Sequence, residues 1–221
     1  MRMLPVALFA LWIAQECGAQ SSVQNGDFHT DLSRWAVHAD LPNVVSWTPV
    51  DRDGSAQSGS ALFLADAPCV PTGPNERSCP APALSQCVSI RPSRSYRASI
   101  SGLVPSGPDQ HGFIQLAVTP YSQDHCTGSV LLFRTVAVAA IGAWQDTSFG
   151  FSAPLGSRSA LVEVAVFRDT SRSETFRAYV DQIGLEDTSH VSPSIPLSPL
   201  AHLAFAALLA SAGLLRLARA P

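Results

Sequence analysis

Between Val23 and Glu186 the apolar residues alternate with polar ones instead of recurring every three or four positions. The runs Ala61–Ala65, Tyr96–Ile100, Phe113–Val118, Ser129–Phe133, Ser159–Phe167 and Ala178–Ile183 therefore read as short strands. Clusters of Gly, Pro, Ser and Asp between them supply the turns. No stretch of the body carries a long helical period, so the pattern predicts a single all-β domain, a β-sandwich or jelly roll. Period two also assigns faces. Tyr96, Ala98 and Ile100 fall on one side and are predicted core, while Arg97, Ser99 and Ser101 fall on the other. The same count makes Arg97, Gln115, Thr119, Glu163 and Phe167 predicted neighbours on one ligand-facing surface, with Trp47 and Tyr121 as further candidate aromatic platforms.

The pattern breaks at both ends. Residues Met1 to Ala19 run from Arg2 through an apolar stretch, Leu4 to Ala14, to Cys17-Gly18-Ala19. Charge, then apolar residues, then small residues is the order of a signal peptide, and about 11 apolar residues fall short of the roughly 20 that span a bilayer. Cleavage by signal peptidase is expected after Ala19. At the other end Leu197 to Leu215 is mostly apolar with His202 as its only ionisable residue, Arg216 and Arg219 follow, and a Ser/Pro-rich linker precedes it. A membrane helix with its arginines in the cytoplasm is expected there, which holds the body outside. The expected organisation is a signal peptide over 1–19, a β-sandwich over 20–187, a linker over 188–199 and a membrane helix with an Arg tail over 200–221.

Composition narrows the function. The chain is 46% hydrophobic and only 14% charged, which argues for a packed core, and the formal net charge of -3 speaks against nucleic acid as a partner. Four cysteines follow the signal peptide: Cys69, Cys79, Cys87 and Cys126. An even count in an exported chain predicts disulfides, with three possible pairings. Cys69 with Cys79 is favoured because it closes a short turn-rich loop, leaving Cys87 for Cys126. Neither CxxC nor a nearby His pair supports zinc. No GxSxG, HExxH, P-loop or dinucleotide fingerprint is present, and the acidic pairs sit in polar turns, so a noncatalytic protein is expected.

Two resemblances sharpen this reading. Asn25-Gly-Asp-Phe28 with Trp35, Ser58-Gly-Ser-Ala-Leu62, Leu84-Ser-Gln-Cys-Val88 with Tyr96, Trp144 to Phe151, and Ala178-Tyr-Val-Asp181-Gln-Ile183 together resemble the jelly-roll carbohydrate-binding modules, a shape shared with galactose-binding-like domains. The resemblance implies glycan or exopolymer as partner, framework positions for Trp35 and Trp144, and a structural calcium between opening and closing segments, with Asp181 and Asp27 as ligands. His29 stands where that family usually has an acid, and Ser101 where it often has a Trp. The rival expectation is a structural or adhesive surface protein without a specific sugar site. Ile195-Pro196-Leu197-Ser198, the apolar segment, Arg216 and Arg219 resemble the IPTL-type sorting signals of bacteria. That implies processing by an exosortase-like membrane enzyme.

Overall fold

The computed structural model describes residues 21–40, 42–66, 82–107, 111–138, 141–168 and 175–189. The expected signal peptide, Cys69, Cys79, the residues Ile195 to Ser198, Arg216 and Arg219 lie outside the described residues.

The described residues form two antiparallel five-stranded sheets and no α-helix. The strands are β1 (Ala36–His38), β2 (Val44–Thr48), β3 (Ser60–Ala65), β4 (Ala83–Ser89), β5 (Ser95–Leu103), β6 (Gly112–Tyr121), β7 (Arg134–Val138), β8 (Gln145–Ser152), β9 (Ser159–Arg168) and β10 (Phe176–Asp187). One sheet has the order β1-β4-β9-β6-β7, the other β2-β3-β10-β5-β8. After the β2–β3 hairpin the chain passes from one sheet to the other at every connection except the β6–β7 hairpin. Each strand can thus bury one face against the opposite sheet and leave the other to solvent.

Alternation explains the core. Ile114, Leu116 and Val118 of β6 interleave with Val162, Val164 and Val166 of β9, all fully buried. Facing them are Phe63, Ala98, Ile100, Ala178, Val180 and Leu185 of the second sheet, within the same apolar cluster. Tyr96 is core as expected, its hydroxyl accepting the Arg91 N–H at 2.8 Å.

The ends of the domain close on each other. Ile183 N–H donates to the Gly26 carbonyl at 2.8 Å, and Ser22 N–H to the Leu185 carbonyl at 2.7 Å. A Cβ on Gly26 would lie 2.0 Å from the Ile183 carbonyl oxygen, so only glycine permits this approach. The closing strand bulges between Asp181 and Gly184, which turns Ile183 toward the opening segment.

One expected strand is corrected. Ser129 to Phe133 does not form a strand; only Val130 makes a bridge, to Tyr121, and regular pairing starts at Arg134 opposite Val118. The chain spends those residues returning from a loop that Cys126 ties to β4, so the strand begins later.

Candidate functional site

The outward face of the β1-β4-β9-β6-β7 sheet gathers five of the six expected ligand residues. Cross-strand register sets them in rows: Phe113 beside Phe167, Gln115 beside Ala165, Ala117 beside Glu163, Thr119 beside Leu161, and Tyr121 beside Ser159. On one side Glu163 neighbours Ser85 and Leu161 neighbours Cys87; on the other Thr135 and Ala137 flank Ala117 and Gln115. Gln115, Thr119, Tyr121, Glu163 and Phe167 therefore share a surface, because their partners Ile114, Leu116, Val118, Val162 and Val166 fill the core.

Arg97 does not belong to that surface. It lies on β5, in the other sheet, opposite Glu186 and Gly150. A period-two count gives the face of a strand but not its sheet, and the chain changes sheets between β5 and β6. Arg97 instead lines a cavity of about 310 Å³ with Ser99, Ser101, Asp146, Ser148 and Glu186. Ser101 donates to Asp146 at 2.5 Å and the Arg52 guanidinium contacts the same carboxylate at 2.5 Å. The Ser101 hydroxyl first, and Arg52 with it, hold Asp146 below the usual carboxylate range. No ring lines this cavity.

The first face is asymmetric along its length. At one end Phe113, 37% exposed, stacks on Phe167 with ring centroids 5.1 Å apart. The middle rows are floored by small side chains, Ala117, Ala165, Ala137 and Ser85, with Gln115, Glu163 and His38 at their sides. His38 Nε2 and Ser85 Oγ are 2.8 Å apart. The far end is walled by the loop after Tyr121. A Cys87–Cys126 disulfide, Cα atoms 5.9 Å apart, ties this loop to β4, in accord with the expected pairing. Ser159 Oγ donates to the Gln123 carbonyl at 2.6 Å and accepts the Cys126 N–H at 2.9 Å. His125 and Cys126 take left-handed backbone conformations, φ 58° and 55°, within the 3₁₀ turn Asp124–Cys126.

Sequence reasoning missed Phe113, His38 and Ser85 as members of this face. Phe113 was within reach, since it stands two residues before Gln115. His38 and Ser85 enter only through the β1–β4 pairing. Chemically the face offers a flat aromatic pair, amide and hydroxyl groups and one carboxylate, Glu163. Among the described strands of this sheet no second carboxylate is present, whereas glycoside hydrolysis ordinarily needs two.

The other expected aromatics separate. Trp35 is core, packed on Phe28 with its Nε1–H donating to the Asn25 carbonyl at 3.0 Å. Trp144 is only half-buried. Trp47 stands apart from the face, on β2 of the other sheet.

Asp181 is buried where the closing strand meets the opening segment. Desolvation pushes its carboxyl up to about 6, and the like charges of Asp51 and Asp27 add to the shift. Its oxygens accept the Gln182 N–H at 2.7 Å and the Arg52 N–H at 3.3 Å. Among the described residues no three His, Cys, Asp or Glu side chains converge as a metal-ligand set. Calcium held here would have to take most of its six to eight oxygens from backbone carbonyls and water.

No family model matches the chain, and no curated protein does. Solved structures do. The enzymatically active domain of tailspike protein 4 of bacteriophage CBA120 superposes with a TM-score of 0.56 at 12% identity, covering 76% of this chain and 21% of that one. A family 16 carbohydrate-binding module gives 0.51 at 15% identity, covering 76% and 100%. An arabinose-bound α-L-arabinofuranosidase gives 0.50 at 13%, covering 76% and 26%. The chain thus spans about a fifth of the tailspike structure and the whole of the binding module. The class this defines is an all-β jelly-roll sandwich of the shape that carbohydrate-binding modules have.

Proposed function

We propose that the body is a noncatalytic module that binds a glycan or surface polymer across the outward face of the β1-β4-β9-β6-β7 sheet, on a chain exported and held at the cell surface. The observation that carries this reading is the stacked Phe113–Phe167 pair, placed in register beside Gln115 and Glu163. A flat ring covers the apolar side of a pyranose, and amide, hydroxyl and carboxylate groups orient its hydroxyls. The small residues in the middle rows leave depth for a sugar chain. The walled end restricts how far that chain can run past Tyr121. Export rests on the signal-like residues 1–19, and surface attachment on the 200–221 segment with its sorting-like Ile195 to Ser198. The calcium implied by the resemblance is proposed to sit at Asp181 and Asp27, joining the first and last segments.

A glycan array probed with the full chain tests the binding reading. The expected result is binding to at least one glycan, weakened about tenfold by Phe167→Ala, as loss of a stacking ring would give. Binding that survives Phe167→Ala, Gln115→Ala and Glu163→Gln unchanged would move the site elsewhere. No binding to any glycan would favour the second reading, a structural or adhesive surface protein. That reading is supported by Ser101, which is buried beneath Asp146 and offers no ring.

A further inference from the structure

Trp47 is a large ring, 36% exposed, at the sandwich edge, outside both the core cluster and the proposed sheet face. It lines a separate cavity of about 190 Å³ between the opening segment and the loop that leads into β3. The other walls used here are His29, Thr30, Pro49, Gln57 and Ser58. We propose that this cavity is a second, independent carbohydrate site, one that takes a single neutral sugar ring against Trp47.

Four observations support the proposal. First, the ring is fixed: its Nε1–H donates to the Phe28 carbonyl at 2.8 Å, and it packs on Gly59, where a Cβ would come within 2.8 Å of Cε2 and Cζ2. A platform already held in place loses little freedom when a ligand arrives. Second, both walls are ordered by their own side chains. Asp51 accepts the Asp53 and Ser55 N–H groups, each at 2.8 Å, and the Ser58 hydroxyl at 2.5 Å. Asn25 accepts the His29 N–H at 3.2 Å and donates to the Asp31 and Ser33 carbonyls, each at 3.0 Å. Third, the chemistry is mixed in the way a sugar requires. An indole and a proline ring supply apolar surface, while Thr30, Ser58, Gln57 and His29 supply hydroxyl, amide and imidazole groups. Fourth, the size selects. About 190 Å³ is below the ~300 Å³ at which drug-sized sites begin, so the cavity itself has room for a single ring. The Ser58 hydroxyl, and backbone donors with it, hold the adjoining Asp51 carboxylate ionised, which disfavours an acidic sugar.

The test is ¹⁹F NMR of the full chain carrying 5-fluorotryptophan in a detergent without a sugar headgroup, titrated with the methyl glycosides of glucose, galactose, mannose and xylose. The Trp47 resonance is assigned by its loss in Trp47→Phe. At least one glycoside is expected to shift it saturably in the millimolar range, with the Trp35 resonance unmoved. Gln57→Ala and Thr30→Val should each weaken that titration about fivefold, the worth of one hydrogen bond. Phe167→Ala, in the other sheet, should leave it unchanged. No shift up to about 50 mM, the weak limit of a millimolar site, overturns the proposal. So does a shift that Gln57→Ala and Thr30→Val leave alone but Phe167→Ala abolishes. Because Gln57 and Thr30 are surface side chains of ordered loops, the test does not depend on Trp47→Phe keeping its fold.

Discussion

Asp181 shows how one residue sets a condition on the whole domain. Its carboxyl titrates near 6 in the folded chain, against 3.8 for an ordinary aspartate. Between those values the folded state keeps a proton that the unfolded state has lost, so stability falls as pH rises through this window. The full penalty, about 3 kcal/mol at most, is reached above the folded value. Asp31, Asp51 and Asp146 are lowered instead, through their hydroxyl and amide donors, and lose their contribution only in stronger acid. Thermal melts of the metal-free protein should therefore show a decline from pH 4 to pH 6.5, and Asp181→Asn should flatten it. If calcium occupies Asp181 and Asp27, millimolar calcium at pH 7 should restore the lost stability, because a ligand that binds only the folded state raises its melting temperature. An unchanged melting temperature removes the cation and leaves the Gln182 and Arg52 N–H groups as the donors to this buried carboxylate above pH 6.

At the scale of elements, the loop after β6 is where sequence and structure part company. Ser129 to Phe133 has the apolar content of a strand, yet the pairing begins at Arg134, because Cys126 draws the preceding residues toward Cys87 on β4. The long strands β5, β6, β9 and β10 were legible because each buries one face, although the bulge between Asp181 and Gly184 breaks the alternation of β10. The short ones, β1 and β2, bury little: Ala36, Val37, His38 and Val44 are all exposed, so no periodic signal marks them. The shared outward face was legible in the same measure. Gln115, Thr119, Glu163 and Phe167 lie on neighbouring strands and obey one alternation, while Arg97 obeys it on a strand of the opposite sheet. Removing the tether should expose its role. The double change Cys87→Ala and Cys126→Ala opens a loop of 39 residues' separation and should cost about 3–4 kcal/mol in urea unfolding. Glycan binding near Tyr121 should weaken more than binding near the Phe113–Phe167 pair. A stability loss without any change in binding would make the disulfide a staple alone.

For the molecule as a whole, the domain's design suits the place proposed for it. A sandwich that ties its first segment to its last, through Gly26 with Ile183 and Ser22 with Leu185, keeps its termini at one closed seam. β10 ends at Asp187, paired with Tyr96, and the linker expected over 188–199 would follow it. If its Ser and Pro content keeps that linker extended, it takes the form a membrane protease can seat. If Ile195 to Ser198 with Arg216 and Arg219 acts as a sorting signal, export should end with loss of the apolar segment and attachment to surface polymer or release. If this end of the chain is only an anchor, the largely apolar 19-residue stretch from Leu197 to Leu215 suffices to hold the intact chain in the membrane. Intact-mass measurement of the surface form separates the two. Sorting predicts a chain that starts at Gln20 and lacks the arginines, and substitution of Pro196 should return the full-length mass. A native surface form whose mass still includes Pro221 would show instead that a plain transmembrane helix holds the glycan-facing sheet outside the cell.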